Sequence, residues 1–181
     1  MDFTEEAVDS RLVYRGRILT CKVDRVKLPD GRLAEREVVL HPGAVAIVAM
    51  DDAGRLLLVR QYRYPVGREL LEIPAGKLEP GEEPASAARR ELEEETGYAA
   101  GNLESLGVFY TSPGFSNEKM YLYLATDLRP AAGKRDEDEF LALVRMSLSE
   151  ARQKVRTGEI LDAKTIVGIL RAVDWGTVGR V

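Results

Sequence analysis

The segment RRELEEETGY, Arg89–Tyr98, constrains this chain more than any other part of it. Glu91, Glu94 and Glu95 stand at positions i, i+3 and i+4. A helix would place their three carboxylates side by side on one face, where like charges repel. The segment therefore predicts a helix with something positive against its acidic face.

The limits of that helix follow from its flanking residues. Pro84 suits the first turn and Gly97 suits the position after the end, so the helix is expected from about Pro84 to Thr96. An apolar stripe, pinning the helix to a core on the side opposite the carboxylates, is predicted at Ala85, Ala88 and Leu92.

Length and composition indicate one globular domain. The chain has 181 residues, of which 45% are hydrophobic and 31% charged. This length is enough for one hydrophobic core and too short for two full-sized domains. A single domain with a small N-terminal appendage is therefore expected. The net charge of -4 provides no broad basic field and makes nucleic acid a minor hypothesis.

Cys21 is the only cysteine of the sequence, so an intrachain disulfide is excluded and a reducing cytoplasm is the expected location. No apolar run approaches the roughly 20 residues that span a bilayer. The acidic N-terminus, MDFTEEAVDS, is unlike a signal peptide. We therefore expect a soluble, unprocessed protein with no membrane partner.

Alternating and apolar segments predict a chain rich in strands. A hairpin is expected in TCKVDRVKL and REVVL around a PDGR turn, and a second strand pair in GAVAIVAM and LLLVRQYRY. Further strands are expected at Arg68–Ile73 and in LESLGVFYTSP, EKMYLYLATDL and EFLALVRMSL; helices at Ser149–Arg156 and Asp162–Val173; and a polar loop at Arg129–Glu139.

The wider window GKLEPGEEPASAARRELEEETGY resembles the signature of the Nudix hydrolases. The matching positions are Gly76, Glu82, Arg90, Glu91, Leu92, Glu94, Glu95, Gly97 and Tyr98. A merely solvated acidic helix face would explain the glutamates but not a glycine and an arginine at these spacings.

This resemblance implies a site for hard divalent cations, which take oxygen ligands and bind through carboxylates shared with substrate phosphates. By resemblance, Glu91 and Glu95 are the main ligands, Glu94 an accessory one, and the carbonyl of Ala75 completes the site. Mg²⁺ is expected, with Mn²⁺ as an alternative. Arg90 is expected to orient the glutamates, and Glu82 to stabilise the loop or to reach the metal through water.

The rest of the chain is similar to the ADP-ribose pyrophosphatase branch of the family. The resemblance rests on HPGAVAIVAM, VRQYRYP, LEIPAG and on Pro113, 15 residues beyond Tyr98 (113 − 98 = 15). It implies hydrolysis of ADP-ribose to AMP and ribose 5-phosphate. Hydrolases of GDP-mannose and other nucleotide sugars share much of this pattern, and a nucleotide-sensing domain without catalysis is a more remote alternative.

The resemblance also suggests substrate-binding residues: Arg25, Arg63, Gly114, Phe115 and Glu118. Arg63 matches a phosphate-binding arginine, and its alternative role is a surface ion pair. Arg25 is as well explained by a solvated strand, and Phe115 by simple packing.

The catalytic base is expected in the acidic segment DEDEF, where Glu139 and Glu137 match loop acids of this branch. The alternative is an acidic loop that serves only solubility. The sole histidine, His41, is interpreted as structural, because one histidine cannot form a histidine pair.

The predicted fold is α/β (α+β): a Nudix-type α/β/α sandwich around a mixed β-sheet, with an N-terminal β-hairpin subdomain. Residues 1–42 are expected to form that element and residues 43–181 the Nudix hydrolase domain. In relatives the N-terminal strands exchange across a homodimer, so the resemblance implies a homodimer and a strand element that helps to form the substrate pocket.

Overall fold

The computed structural model describes residues 2–132 and 140–178, with side chains described up to Asp174. The chain forms two compact units. The first comprises the residues up to Gly43 together with Tyr110–Lys119, and the second comprises Ala44–Phe109 together with the chain from Met120 onwards.

The first unit contains a three-stranded antiparallel sheet in the order β1-β2-β3. Its strands are β1 (Glu6–Arg15), β2 (Thr20–Lys27) and β3 (Leu33–Leu40). The hairpin of β2 and β3 was predicted and is confirmed. Strand β1 was not predicted, because its sequence EAVDSRLVYR lacks the regular alternation of apolar and polar residues by which strands are recognised; all ten of its residues are exposed.

A loop from a distant part of the sequence belongs to the same unit. The Val39 amide donates to the Phe115 carbonyl at 2.7 Å, and the Asn117 amide donates to the Val39 carbonyl at 3.2 Å. The His41 amide also donates to the Asn117 side chain at 2.8 Å. These bonds hold the loop alongside the end of β3.

The second unit is built on a mixed sheet of seven strands in the described chain. The strands are β4 (Ala44–Met50), β5 (Arg55–Arg63), β6 (Arg68–Glu72), β7 (Ala75–Lys77), β8 (Tyr98–Tyr110), β9 (Lys119–Pro130) and β10 (Leu141–Ser147). Their order is β10-β5-β4-β9-β8, with β6 beside β5 and β7 beside β4. Strands β4 and β9 are parallel, whereas β4 with β5 and β5 with β10 are antiparallel, so the sheet is mixed as predicted.

Helices cover both faces of this sheet. They are α1 (Pro84–Thr96), α2 (Leu148–Thr157) and α3 (Ala163–Val178). Successive residues of β4 point to opposite faces: Val48 lies in a core with α2 and α3, and Ile47 lies in a second core with α1. The predicted α/β/α sandwich is confirmed. No helix in the described part of the chain is long and apolar enough to span a bilayer.

Helix α1 has the predicted bounds, and Gly97 ends it in the left-handed conformation at φ 72°. Its buried face differs from the prediction. Ala85 is exposed, because the first turn extends beyond the core, and Ala87 is buried instead. Glu91 and Glu95 also lie on the buried side rather than opposite to it.

The polar loop predicted from Arg129 begins later, because β9 continues to Pro130. Most of that predicted loop, residues 133–139, lies outside the described residues.

Candidate active site

Two of the predicted metal ligands are nearly buried carboxylates. Glu91 is 9% exposed and Glu95 only 2%. They are four residues apart on α1, so both carboxylates occupy one side of the helix. Both side chains point to strand β7, as their contacts with Gly76 and Ala75 show.

Gly76 makes room for Glu91. A Cβ atom at position 76 would lie 1.9 Å from Cδ of Glu91 and 2.0 and 2.2 Å from its two carboxylate oxygens. Such distances are impossible, so a side chain here would displace the carboxylate. The backbone amide of Ala75 donates to Oε2 of Glu95 at 3.0 Å. Strand β7 therefore receives both carboxylates.

Arg90 is the centre of an ion network on the same helix. Its Nη1 donates to Glu91 at 2.7 Å and to Glu94 at 3.0 Å. Its Nε and Nη2 donate to the two oxygens of Glu82 at 3.0 and 2.9 Å. The hydrogen bond to Glu82 is the largest cause that raises the pKa of Arg90, and the same bond lowers the pKa of Glu82.

This network partly answers the charge problem posed by the sequence. Arg90 supplies one positive charge to the acidic face from within the chain itself, in the orienting role predicted for it. Glu82 also accepts from the Glu79 amide at 3.0 Å, which agrees with its predicted role in stabilising the loop.

The donors suit a hard divalent cation. Glu91 and Glu95 offer carboxylate oxygens and Ala75 a backbone carbonyl, and such oxygens, completed by water and substrate phosphates, are what Mg²⁺ and Mn²⁺ bind. Among the described residues, no three Asp, Glu, His or Cys side chains form a ready metal cluster. Glu94 is held by Arg90, so direct ligation by Glu94 requires that hydrogen bond to exchange.

Arg63, at the end of β5, forms a bidentate pair with Glu72 at the end of β6. Its Nε and Nη2 each donate to a different oxygen of Glu72 at 2.8 Å. The Glu72 side chain is only 1% exposed, against 38% for Arg63. The structure therefore places Arg63 in an ion pair, as the alternative states, but with a buried carboxylate as the partner.

The ion network that continues from Glu72 was not predicted from the sequence. Lys164 of α3 also donates to Glu72, and its Nζ lies 3.0 Å from Asp162. Burial alone would raise the pKa of Glu72, but Arg63 and Lys164 together hold it below its usual value. Two signals in the sequence pointed to this network. Glu72 lies within the apolar strand segment LLEI, and Lys164 lies at the start of the apolar helix segment DAKTIVGIL.

The other predicted substrate-binding residues belong to the first unit. Arg25 is exposed on β2. Gly114 and Phe115 line an open cavity of about 460 Å³. Phe115 is 57% exposed, which contradicts the alternative of simple packing within the described chain.

Glu118 accepts a short hydrogen bond from the Thr111 hydroxyl, and one of its carboxylate oxygens lies 3.7 Å from Nδ1 of His41. That nitrogen accepts the Gly43 amide at 3.1 Å, a backbone contact that agrees with a structural role for His41. The predicted catalytic acids Glu137 and Glu139 lie outside the described residues.

Comparison with known families accounts for almost the whole chain. Residues 40–166 match the NUDIX domain, and residues 5–39 match the nucleoside diphosphate sugar hydrolase N-terminal domain. The chain therefore belongs to the Nudix family, and the predicted family and enzyme class, a hydrolase, are confirmed. Nudix hydrolases generally use divalent metals.

Individual relatives extend this result. The chain is 45% identical over 167 residues to the ADP-ribose pyrophosphatase of Bacillus subtilis (strain 168), covering 91% of this chain and 90% of that protein. It is 44% identical over 169 residues to the methanol dehydrogenase activator of Bacillus methanolicus, covering 92% and 91%. The crystal structure of an ADP compounds hydrolase superposes with a TM-score of 0.88 at 27% identity, over 100% of both chains.

The contact between Gly76 and Glu91 yields a first prediction. Gly76→Ala should displace the Glu91 carboxylate and weaken divalent-metal binding at least about tenfold, because ligand position is lost while the core is untouched. Mn²⁺ titration and the metal dependence of hydrolysis measure this effect. The matched control is Gly54→Ala, where an added Cβ meets nothing within 4 Å and only the positive φ of 70° is strained. Equal metal affinity in the two variants would contradict the prediction.

Proposed function

We propose that this chain hydrolyses the diphosphate of ADP-ribose to AMP and ribose 5-phosphate with Mg²⁺, or alternatively Mn²⁺, as cofactor. The observation that carries the proposal is the pair of nearly buried carboxylates, Glu91 and Glu95, received by β7 within an intact signature. The relative named ADP-ribose pyrophosphatase, 45% identical over most of both chains, supports the substrate. An intact signature argues against a nucleotide sensor that does not cleave.

In this proposal Glu91 and Glu95 hold the metal, with Glu94 as accessory ligand and the Ala75 carbonyl as an additional one. A bound divalent cation polarises phosphoryl oxygens and lowers the pKa of bound water. Arg90 keeps Glu91 and Glu94 oriented through its hydrogen bonds of 2.7 and 3.0 Å.

Arg63 binds a phosphate of the substrate. A guanidinium suits charge that develops on phosphate oxygens, and the bidentate pair with Glu72 fixes its plane before substrate arrives. Arg25, Gly114, Phe115 and Glu118 bind the remainder of the nucleotide. The exposed Phe115 ring offers an apolar face of the kind on which bases and sugars pack.

The proton acceptor for the attacking water is a carboxylate of the acidic segment, Glu139 first and Glu137 second. A positioned carboxylate within hydrogen-bond reach of a water molecule can act as general base. The order of the two acids comes from the family resemblance.

The decisive test combines a substrate panel with one ligand variant. ADP-ribose, GDP-mannose and a diadenosine polyphosphate are assayed with Mg²⁺ and with Mn²⁺, and ADP-ribose should have the highest kcat/KM. Glu95→Gln should then abolish most of that activity and leave thermal unfolding nearly unchanged, because glutamine removes ligand charge but keeps an oxygen that can accept the Ala75 amide.

The control is Glu93→Gln, which makes the same charge change on the same helix outside the proposed site. Near-normal turnover of Glu95→Gln at saturating Mg²⁺ would make the metal assignment wrong. A preference for GDP-mannose would change the substrate and leave the metal chemistry standing.

A separate prediction concerns the acidic segment. Glu139→Gln should lower kcat strongly with KM for ADP-ribose nearly unchanged, because a proton acceptor matters chiefly in the transition state. Glu137→Gln should do less, unless the two acids substitute for one another, in which case only the double variant is severely impaired. Unchanged kcat in the double variant would assign the base to the signature helix, with Glu94 as the next candidate.

We further propose a homodimer formed through the first unit. All residues of β1 are exposed in the single chain, and among them Leu12, Val13 and Tyr14 are 53%, 55% and 58% exposed. These three consecutive large apolar residues lie where the pairing of β1 with β2 is irregular, and they present apolar surface that a second chain would cover.

Sedimentation velocity tests the dimer. The mass of the native protein from sedimentation should be about twice the 20.1 kDa of one chain. Val13→Glu should produce monomers, because it places a charge on the apolar surface. Leu170→Glu, a matched change at an exposed leucine of α3, should remain dimeric. A monomeric native protein would refute the proposal.

The proposed location is the cytoplasm, which agrees with a single cysteine and a nucleotide substrate. Fractionation of the source cells followed by immunodetection measures it directly.

A further inference from the structure

We propose that Lys164 is a positioning residue for phosphate binding: it holds Glu72, and Glu72 holds the Arg63 guanidinium. The inference rests on the proposed function, in which Arg63 binds a substrate phosphate. It assigns a role to a helix, α3, that carries none of the residues of the Nudix signature.

The network around Glu72 is costly to bury. Arg63, Glu72, Lys164 and Asp162 form a chain of three ion pairs with no net charge. Its centre, Glu72, is 1% exposed, and a carboxylate at such a position loses its hydration. Apolar side chains of similar volume often stabilise a protein as well as a buried ion pair does. The benefit that charges add is a defined geometry, which points to a role beyond stability.

The network reaches solvent chiefly at Arg63. Side-chain exposure is 1% at Glu72, 12% at Lys164, 17% at Asp162 and 38% at Arg63. Arg63 is therefore the member that presents its charge most to solvent. The pKa of Arg63 is raised chiefly by Glu72 and also by the charge of Glu95, so the guanidinium lies within electrostatic reach of a proposed metal ligand.

Lys164 is held between Glu72 and Asp162, and Asp162 is itself fixed. Asp162 accepts the Thr165 amide at 2.9 Å and the Thr165 hydroxyl at 2.6 Å at the start of α3. The same hydroxyl accepts the Ile73 amide at 2.9 Å. Ile73 directly follows Glu72, so the start of α3 is bonded to the strand end that carries the carboxylate.

Close packing of α3 supports this placement. Gly168 follows Lys164 by four residues and thus lies on the same face of the helix. A Cβ at position 168 would lie 2.8 Å from Cδ1 of Ile73 and 3.0 Å from Cγ2 of Val48. Because Gly168 has no side chain, α3 can approach the sheet closely. Lys164 lies one helical turn before Gly168, and the close approach brings its ammonium group to Glu72.

The test is a double-mutant cycle on activity. Arg63→Ala, Lys164→Met and the double variant are compared with the native enzyme for kcat and KM with ADP-ribose, and thermal unfolding is measured for each. Arg63→Ala should lower kcat/KM by about 30- to 700-fold, corresponding to about 2 to 4 kcal/mol for a lost transition-state donor. Lys164→Met should lower it by about 10- to 100-fold, the effect expected of a small misplacement.

The informative quantity is the effect of Lys164→Met when Arg63 is already alanine. If Lys164 acts through Arg63, Lys164→Met should lower the kcat/KM of the Arg63→Ala variant by less than about twofold. Independent mutations are usually additive within about this margin. Lys164→Arg keeps the charge and should retain more activity than Lys164→Met. The matched control is Lys154→Met, which removes a lysine paired with Glu159 at 2.7 Å on the surface and should leave kcat/KM unchanged.

The possible failures are distinguishable. Equal loss from Lys164→Met in both backgrounds, or no loss in the native background, would overturn this inference. No loss from Arg63→Ala would instead overturn the proposed phosphate role of Arg63. If Lys164→Met does not fold, Asp162→Asn replaces it, since asparagine keeps an oxygen for the Thr165 amide and removes the charge beside Lys164. The same double-mutant cycle is then measured with Asp162→Asn. A loss of kcat/KM is expected only in the background that retains Arg63.

Discussion

The burial of two carboxylates against β7 is the constraint on which the second unit depends. Glu91 and Glu95 can be nearly buried only because Gly76 has no side chain and the Ala75 amide offers a hydrogen bond. Buried carboxylates are costly unless they are paired or ligate a metal. Helix α1 must therefore sit where its Leu92 side fills the core and its acidic side meets this strand.

Two arginines organise the charges of this unit in different ways. Arg90 collects three carboxylates at the signature helix, so charges close in sequence neutralise each other locally. Arg63 is held by Glu72, which also binds Lys164 of a helix 92 residues further along the chain. The first network maintains a ligand set, whereas the second presents a guanidinium to solvent in a fixed orientation.

Much of the second unit was predictable because its signals are local. The bounds of α1 follow from a proline and a glycine, and the fully apolar β4 indicates a strand covered on both faces. Strand β1 was not predicted. Both of its faces are exposed in the single chain, so its sequence carries no apolar face that alternates with a polar one. The position of Glu91 and Glu95 on the buried side was also missed, because spacing predicts a shared face but not what that face meets.

The sequence by itself determined helix α1 and most of the strands, because spacing along a helix and alternation along strands are set by local geometry. It determined the family, the metal-ligand candidates and the layered fold through the resemblance of its signature to the Nudix hydrolases. Only the tertiary structure decided which residues far apart in sequence meet. It joined the loop carrying Phe115 to the end of β3, and it brought Lys164 to Glu72. Such contacts depend on how helices and strands pack, and no single segment of the sequence carries that information.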